Sequence, residues 1–149
     1  MEIEVSGLKV FIDDEDYELF NTYSWYVSKS RRDKYVKHCK KHETIRLHRF
    51  ILGIKKGDKR QVDHINGNTL DNRKENLRIC TNSQNQMNRG KIKKNNLYKG
   101  VTKAHGKYQA VIIENKKRHY LGLFETPEMA HNAYCEASKK YHGEYGRTE

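Results

Sequence analysis

The sequence predicts an α+β chain in two small parts, and three observations lead there. Short runs with strand character, at residues 2–12, 35–40, 61–65, 107–113 and 117–124, are broken by Gly and Asn, the residues of tight turns. One long helical stripe, Ala130, Ala133, Tyr134, Ala137 and Tyr141, follows the last of those runs. Between the halves lies RGKIKKNN, basic and without apolar periodicity, which divides the chain into a domain at 1–88, a linker at 89–96 and a domain at 97–149. With 149 residues and 35% hydrophobic content, each part has a small core, supplied by Trp25, ten Tyr and four Phe.

A net charge of +11 favours polyanionic partners, because each Lys or Arg beside a phosphate releases condensed counterions. The charge is clustered: residues 1–28 hold seven acids against one lysine, and residues 86–120 hold ten Lys/Arg against Glu114 alone. Nucleic acid is the leading partner. The cysteines, Cys39, Cys80 and Cys135, are odd in number and far apart, so neither a disulfide framework nor a thiolate zinc site is indicated. No run approaches a membrane span, and the acidic N-terminus is unlike a secretory signal. The expectation is a cytoplasmic protein without a membrane anchor or small-molecule substrate, acting as a monomer.

In chain order, residues 2–12 alternate around Gly7 as a hairpin. Asp13 or Asp14 then caps a short helix through Phe20; the alternative use of Asp13, Asp14, Glu15 and Asp16 is a metal site. Trp25, Tyr26 and Val27 open a strand region that continues through 35–40 and 44–47, with the basic loop SKSRRDK between. Residues 29–49 carry nine Lys/Arg against two acids, either a phosphate-facing surface or a solvated one. In LHRFILG, Leu47, Phe50, Ile51 and Leu52 look buried and Gly53 ends the element; His48 either supports a site or contacts DNA, or is structural.

The polar run at 61–88 is the densest. Residues 61–65 make a strand, Asn66-Gly67 a turn, and 76–80 a returning strand. Thr81 caps a helix from Asn82, with Gln84 at the capping-box position. Asp63 and His64 on the strand and Asn85 on the helix offer a carboxylate, an imidazole and an amide, groups that hold a hard divalent ion and take a proton from water. Adjacent strand residues face opposite ways, so Asp63 and His64 share a site only if the backbone bends near Asn66-Gly67. Asn66, Asn68 and Asn72 serve turns.

In the second part, residues 97–103, 107–113 and 117–124 form three strands with turns at AHG and ENK. Thr126 and Pro127 open the long helix and Gly143 ends it. Tyr108, Ala110 and Ile112 meet that helix, leaving Lys107, Gln109, Val111 and Ile113 outward beside Lys116, Arg118 and Tyr120, a face suited to a DNA groove.

VDHINGNTLDNRKENLRICTNSQNQ resembles the HNH, or ββα-metal, motif of phage and intron-encoded homing endonucleases. VFIDDEDYELFNTYSW and LHRFILG resemble what precedes that motif in many phage members, so the similarity spans roughly residues 5–88. YKGVTKAHGKYQAVIIENKKRHYLGLFETPEMAHNAYCEASKKYHG is similar to the AP2/ERF DNA-binding domain. The resemblance implies a ββα-metal motif followed by a three-stranded antiparallel sheet on one helix. It makes His64 the general base, Asp63 and Asn85 ligands of one Mg²⁺ or Mn²⁺, and Asn76 the residue that holds the loop positioning His64. It implies hydrolysis of phosphodiester bonds in double-stranded DNA, with activity falling below pH about 6–7, where histidine protonates. Candidate DNA contacts are Lys91, Lys93 and Lys94 of the linker and Lys99, Lys103, His105, Lys107, Gln109, Arg118 and Tyr120 of the sheet segment. Thr102, Val111 and Ile113 depart from the charged residues usual in the plant domain, so its sequence preference does not transfer. Competing readings are a non-catalytic, sequence-specific DNA-binding regulator and an RNA-binding protein.

Overall fold

A computed structural model describes residues 1–28, 34–40, 43–90 and 97–148. The chain is α+β, with several small antiparallel sheets, and divides into two compact units, Met1–Cys80 and Thr81–Glu149. Most of the SKSRRDK loop and of the expected linker, with Lys91, Lys93 and Lys94, lies outside the described residues.

In the first unit, β1 (Glu2–Val5) and β2 (Leu8–Phe11) form a hairpin whose turn residues, Ser6 and Gly7, both have positive φ, 53° and 74°, the twist-matched two-residue turn. A 3-10 turn at Asp14–Asp16 runs into α1 (Tyr17–Asn21), but Asp13 makes no side-chain cap there. The Asp13 carboxylate instead accepts the Lys74 N–H at 2.7 Å, and the Lys74 ammonium pairs with Glu15 and Asp16. The expected cap thus acts on a distant segment, because the exposed N–H of a second 3-10 turn, Lys74–Asn76, needs an acceptor just there.

β3 (Tyr26–Val27), β4 (Val36–Lys40) and β5 (Glu43–Arg46) form a three-stranded sheet, and α2 (Leu47–Ile51) follows directly. Val5, Val10, Ile12, Val27, Val36 and Leu47 make the core, with Phe20, Trp25 and Phe50 packed against it. The Trp25 indole N–H donates to the Phe20 carbonyl at 2.7 Å, which satisfies its one polar atom inside this cluster. β6 (Gln61–His64) and β7 (Leu77–Cys80) pair as a separate ribbon over Ile54, Val62 and Leu77.

The second unit begins with α3 (Asn82–Met87), opened by a complete capping box: Gln84 N–H donates to Thr81 Oγ1 at 3.2 Å, and Thr81 N–H donates to Gln84 Oε1 at 2.8 Å. β8 (Val101–Ala104), β9 (Lys107–Glu114) and β10 (Lys117–Phe124) form an antiparallel sheet in the order β10-β9-β8. Both hairpin turns, His105-Gly106 and Asn115-Lys116, have positive φ at both positions. The first strand starts at Val101 rather than Leu97, since residues 99–100 turn into it.

α4 (Pro127–Tyr141) lies on the sheet, capped by Thr126, which accepts the Met129 N–H at 3.3 Å. Ala110 and Ile112 from β9 are buried against Ala130, Tyr134 and Ala137. The small residues of the stripe let the helix approach so closely that a Cβ on Gly100 would sit 2.0 Å from the Tyr134 ring.

Candidate active site

The loop joining β6 to β7 is held largely by asparagine side chains, with Leu70 packed on the first core. Asn76, buried, accepts the Asn66 N–H on Oδ1 at 2.9 Å and donates from Nδ2 to the Asp71 carbonyl at 2.8 Å. Its own carbonyl accepts the Ile65 N–H at 2.9 Å, so one residue spans the loop from the residue after His64 to its far end. Asn66 and Asn68 each accept the N–H two residues on, at 2.8 and 3.1 Å, the Asx turn favoured by short amide side chains. Asp71 is buried and anchors Arg73 through two bonds of 2.8 Å, with Asn66 Nδ2 on Oδ2 at 2.9 Å. The Arg73 guanidinium, then the Asn66 hydrogen bond, hold the Asp71 carboxyl below the usual carboxylate range against the opposing effect of burial. Strand β2 braces the same loop: Phe11 N–H donates to the Leu70 carbonyl and Asn72 N–H to the Phe11 carbonyl, at 2.9 and 2.7 Å.

His64, at the end of β6, is only 4% exposed. Its Nε2 lies 3.4 Å from Asn72 Oδ1, its ring meets His48 edge-on at 5.0 Å, and Tyr35 is 6.2 Å away. In the tautomer in which Nε2–H donates to this amide oxygen, Nδ1 is the nitrogen that can accept a proton. Burial lowers the His64 pKa below the ordinary histidine value, opposed by the Asn72 bond and by Asp63 and Asp71. His48 is pushed down to about 3 by burial first, then by His64, Arg46 and Arg49. Both imidazoles are therefore neutral at physiological pH, and a drop in any activity that needs neutral His64 moves to the acid side of the ordinary histidine range.

The register runs unbroken through Asp63↔Arg78 and His64↔Leu77, so the strand contains no bend, and alternation sends the two side chains to opposite faces. Asp63 faces its cross-strand neighbour: Arg78 donates from Nε at 3.0 Å and Nη2 at 2.8 Å to Oδ2, an ion pair with both side chains largely buried. Asn85 sits half-buried on α3, its N–H on the Thr81 carbonyl at 3.0 Å, within the second unit. Among the described residues no three His, Cys, Asp or Glu side chains gather as a cage for a metal ion.

Sequence reasoning placed Asn72 among the turn residues and did not single out Arg78, Asp71 or Tyr35. Asn72 is 1% exposed and touches the histidine, and the signal available was its place directly after Asp71. Arg78 could have been found by counting back across the hairpin from Asp63.

In the second unit the candidate DNA contacts separate. Gln109, Arg118 and Tyr120 share the sheet face turned away from α4 with Thr102, Val111 and Ile113. His105 is exposed in the first turn. Lys107 is ion-paired with Glu125, and Lys103 stands opposite Tyr108 in the row that faces the helix side. Lys99 is drawn inward: its ammonium donates to the Met87 carbonyl at 2.5 Å and the Arg147 carbonyl at 2.8 Å, and burial pushes its pKa down to about 8. It ties the end of α3 to the sheet unit. A cleft of about 1000 Å³ in this unit is bordered by Asn82, Ser83 and Gln86 of α3 and by Val111, Ile113 and Arg118 of the sheet.

Fold and site define the class first: an α+β protein with a polar, histidine-centred hairpin braced by asparagines. Comparison with known proteins then narrows it. Residues 46–87 match the HNH endonuclease family. Over 144 residues the chain is 29% identical to an uncharacterized HNH endonuclease of Acanthamoeba polyphaga mimivirus, covering 93% of this chain and 73% of that relative. No solved structure matches. The matched segment and this relative support a nuclease, and a DNA partner is consistent with them. No helix among the described residues is long and apolar enough to cross a membrane.

Proposed function

We propose that the protein is a metal-dependent HNH endonuclease of the homing type, a cytoplasmic monomer that hydrolyses phosphodiester bonds of duplex DNA at a selected site. The observation that carries this reading is the buried His64 on a loop spanned by Asn76, inside the segment that matches the HNH family. His64 Nδ1 takes the proton from the attacking water while Asn72 holds Nε2–H and so fixes the tautomer. Asn76 keeps the imidazole in place by closing the loop. Asp63, on the strand face opposite His64 and held in orientation by Arg78, offers a carboxylate, and Asn85 on α3 offers an amide oxygen, donor types that suit Mg²⁺ or Mn²⁺. A single Mg²⁺ or Mn²⁺ would supply Lewis-acid stabilisation of charge developing on the scissile phosphate. The second unit, an AP2-like module in this reading, lays a sheet face on the duplex through Gln109, Arg118 and Tyr120, and the basic linker sequence adds charge for phosphates.

Supercoiled plasmid incubated with the protein and Mg²⁺ tests the proposal. Nicked or linear product should form, and His64→Ala should slow it at least 100-fold, within the ~10²–10⁴ range for loss of a general base. Equal rates for the two proteins would remove His64 as base. Tight binding without cleavage by either would leave a non-catalytic DNA-binding regulator.

A further inference from the structure

The face of the C-terminal sheet turned away from α4, part of which walls the cleft beside α3, exposes more apolar surface than solvation explains. Ile113 is 59% exposed, Tyr120 62% and Leu123 40%. The pairing makes them one patch: Arg118 lies opposite Ile113, Tyr120 opposite Val111, and Leu123 opposite Gln109, which is flanked on its other side by Thr102. The irregularity between Tyr120 and Gly122 turns Leu121 toward α4 and leaves Tyr120 and Leu123 on the same face, although they are three residues apart.

The rim of the patch is cationic. Arg118 lies within it and Lys116 sits exposed in the adjoining turn, while Glu125, near the other end, is held by Lys107. A cationic rim with an apolar centre and one amide fits a duplex groove. Phosphates take the cations, and the apolar centre needs an apolar group on the base edges. In the major groove that group is the C5-methyl of thymine.

We infer that this face reads thymine methyl groups in the major groove, with Ile113, Val111 and Tyr120 against the methyls and Arg118 on a neighbouring phosphate. The inference rests on the DNA-binding reading of this sheet proposed above. It adds that sequence preference here comes from apolar contact rather than from charged side chains.

The test uses the full-length chain in EDTA, so that strands stay intact. Duplexes enriched from a random library are measured by fluorescence anisotropy beside copies in which deoxyuridine replaces thymidine, a change that removes only the methyl. Enriched sites should contain thymine, and each contacted methyl should be worth about fourfold in affinity. Ile113→Ala and Tyr120→Ala should weaken binding to the thymine duplex and leave the uracil duplex nearly unaffected; Arg118→Ala should weaken both alike. Binding with equal affinity for the two duplexes overturns the inference and leaves the DNA-binding reading standing. No binding to any duplex overturns both. Self-association of the free protein that Ile113→Lys abolishes, without thymine discrimination, would assign the patch to a second copy and also overturn it.

Discussion

Asn72 and Asn76, four residues apart in one loop, do different work because one faces a ring and the other faces backbone. Asn76 spends both amide atoms on main-chain groups, which is how a polar side chain closes a loop with few apolar residues to pack. Asn72 is turned inward onto His64, and its Nδ2 has no hydrogen-bond partner among the described residues. Nothing in the spacing of asparagines separates these fates, since both residues are ordinary turn formers. His48 poses the same problem: its neighbours, Tyr35 and His64, come from other elements. Its low pKa yields a stability prediction. The unfolded chain takes a proton at His48 near the ordinary value of 6.5, while the folded chain resists until about 3, so the folded state loses stability as pH falls through that window. The groups that depress it beyond burial are His64, Arg46 and Arg49. Urea midpoints at pH 7 and 4.5 should show a loss on the order of 2–3 kcal/mol from this group. In His48→Gln that part of the acid loss should vanish; an unchanged pH slope would contradict it.

At the scale of elements, the turn and cap residues were the most legible. Thr81 with Gln84, and Thr126 with Pro127, start helices where the sequence places them, because capping is a local contest between a side chain and the next turn's N–H groups. The acids at 13–16 misled for the converse reason: a carboxylate beside a helix start also serves any other open N–H brought near it, and Lys74 is brought near it by the fold. Gly100 is a second element-scale feature. Its φ is +75°, and an added Cβ would meet the Tyr134 ring, so Gly100→Ala combines backbone strain with overpacking. A loss of about 2–4 kcal/mol is expected. Gly106, with φ +74° and nothing within 4 Å of an added Cβ, isolates the strain alone, and Gly106→Ala should lose only about 1 kcal/mol. Thermal melts of the two variants side by side check this; equal losses would mean that the close helix approach at Tyr134 does not constrain the fold.

For the whole molecule, charge is the governing quantity. With a net +11 and ten Lys/Arg against one acid in residues 86–120, the chain should bind duplex DNA with a strong salt dependence. Each phosphate contact contributes about −0.9 to the slope of log affinity against log salt, so a slope near −4 or steeper is expected from titrations between 50 and 200 mM salt. A slope near zero would exclude a phosphate-dominated interface. The compact units meet in sequence between Cys80 and Thr81, so α3 and the proposed ligand Asn85 share a unit with the sheet, tied there by Lys99.

The sequence by itself determined the α+β class, both glycine- or asparagine-bearing hairpins of the C-terminal sheet, the helix stripe and the HNH-like segment, because each rests on residues within one turn or one strand of each other. Tertiary structure alone decided which groups surround His64, that Asp63 is paired with Arg78, that the strand stays regular between them, and that Lys99 turns inward rather than outward. Those outcomes depend on which distant elements share a surface, and burial, pairing and protonation all follow from that surface rather than from spacing along the chain.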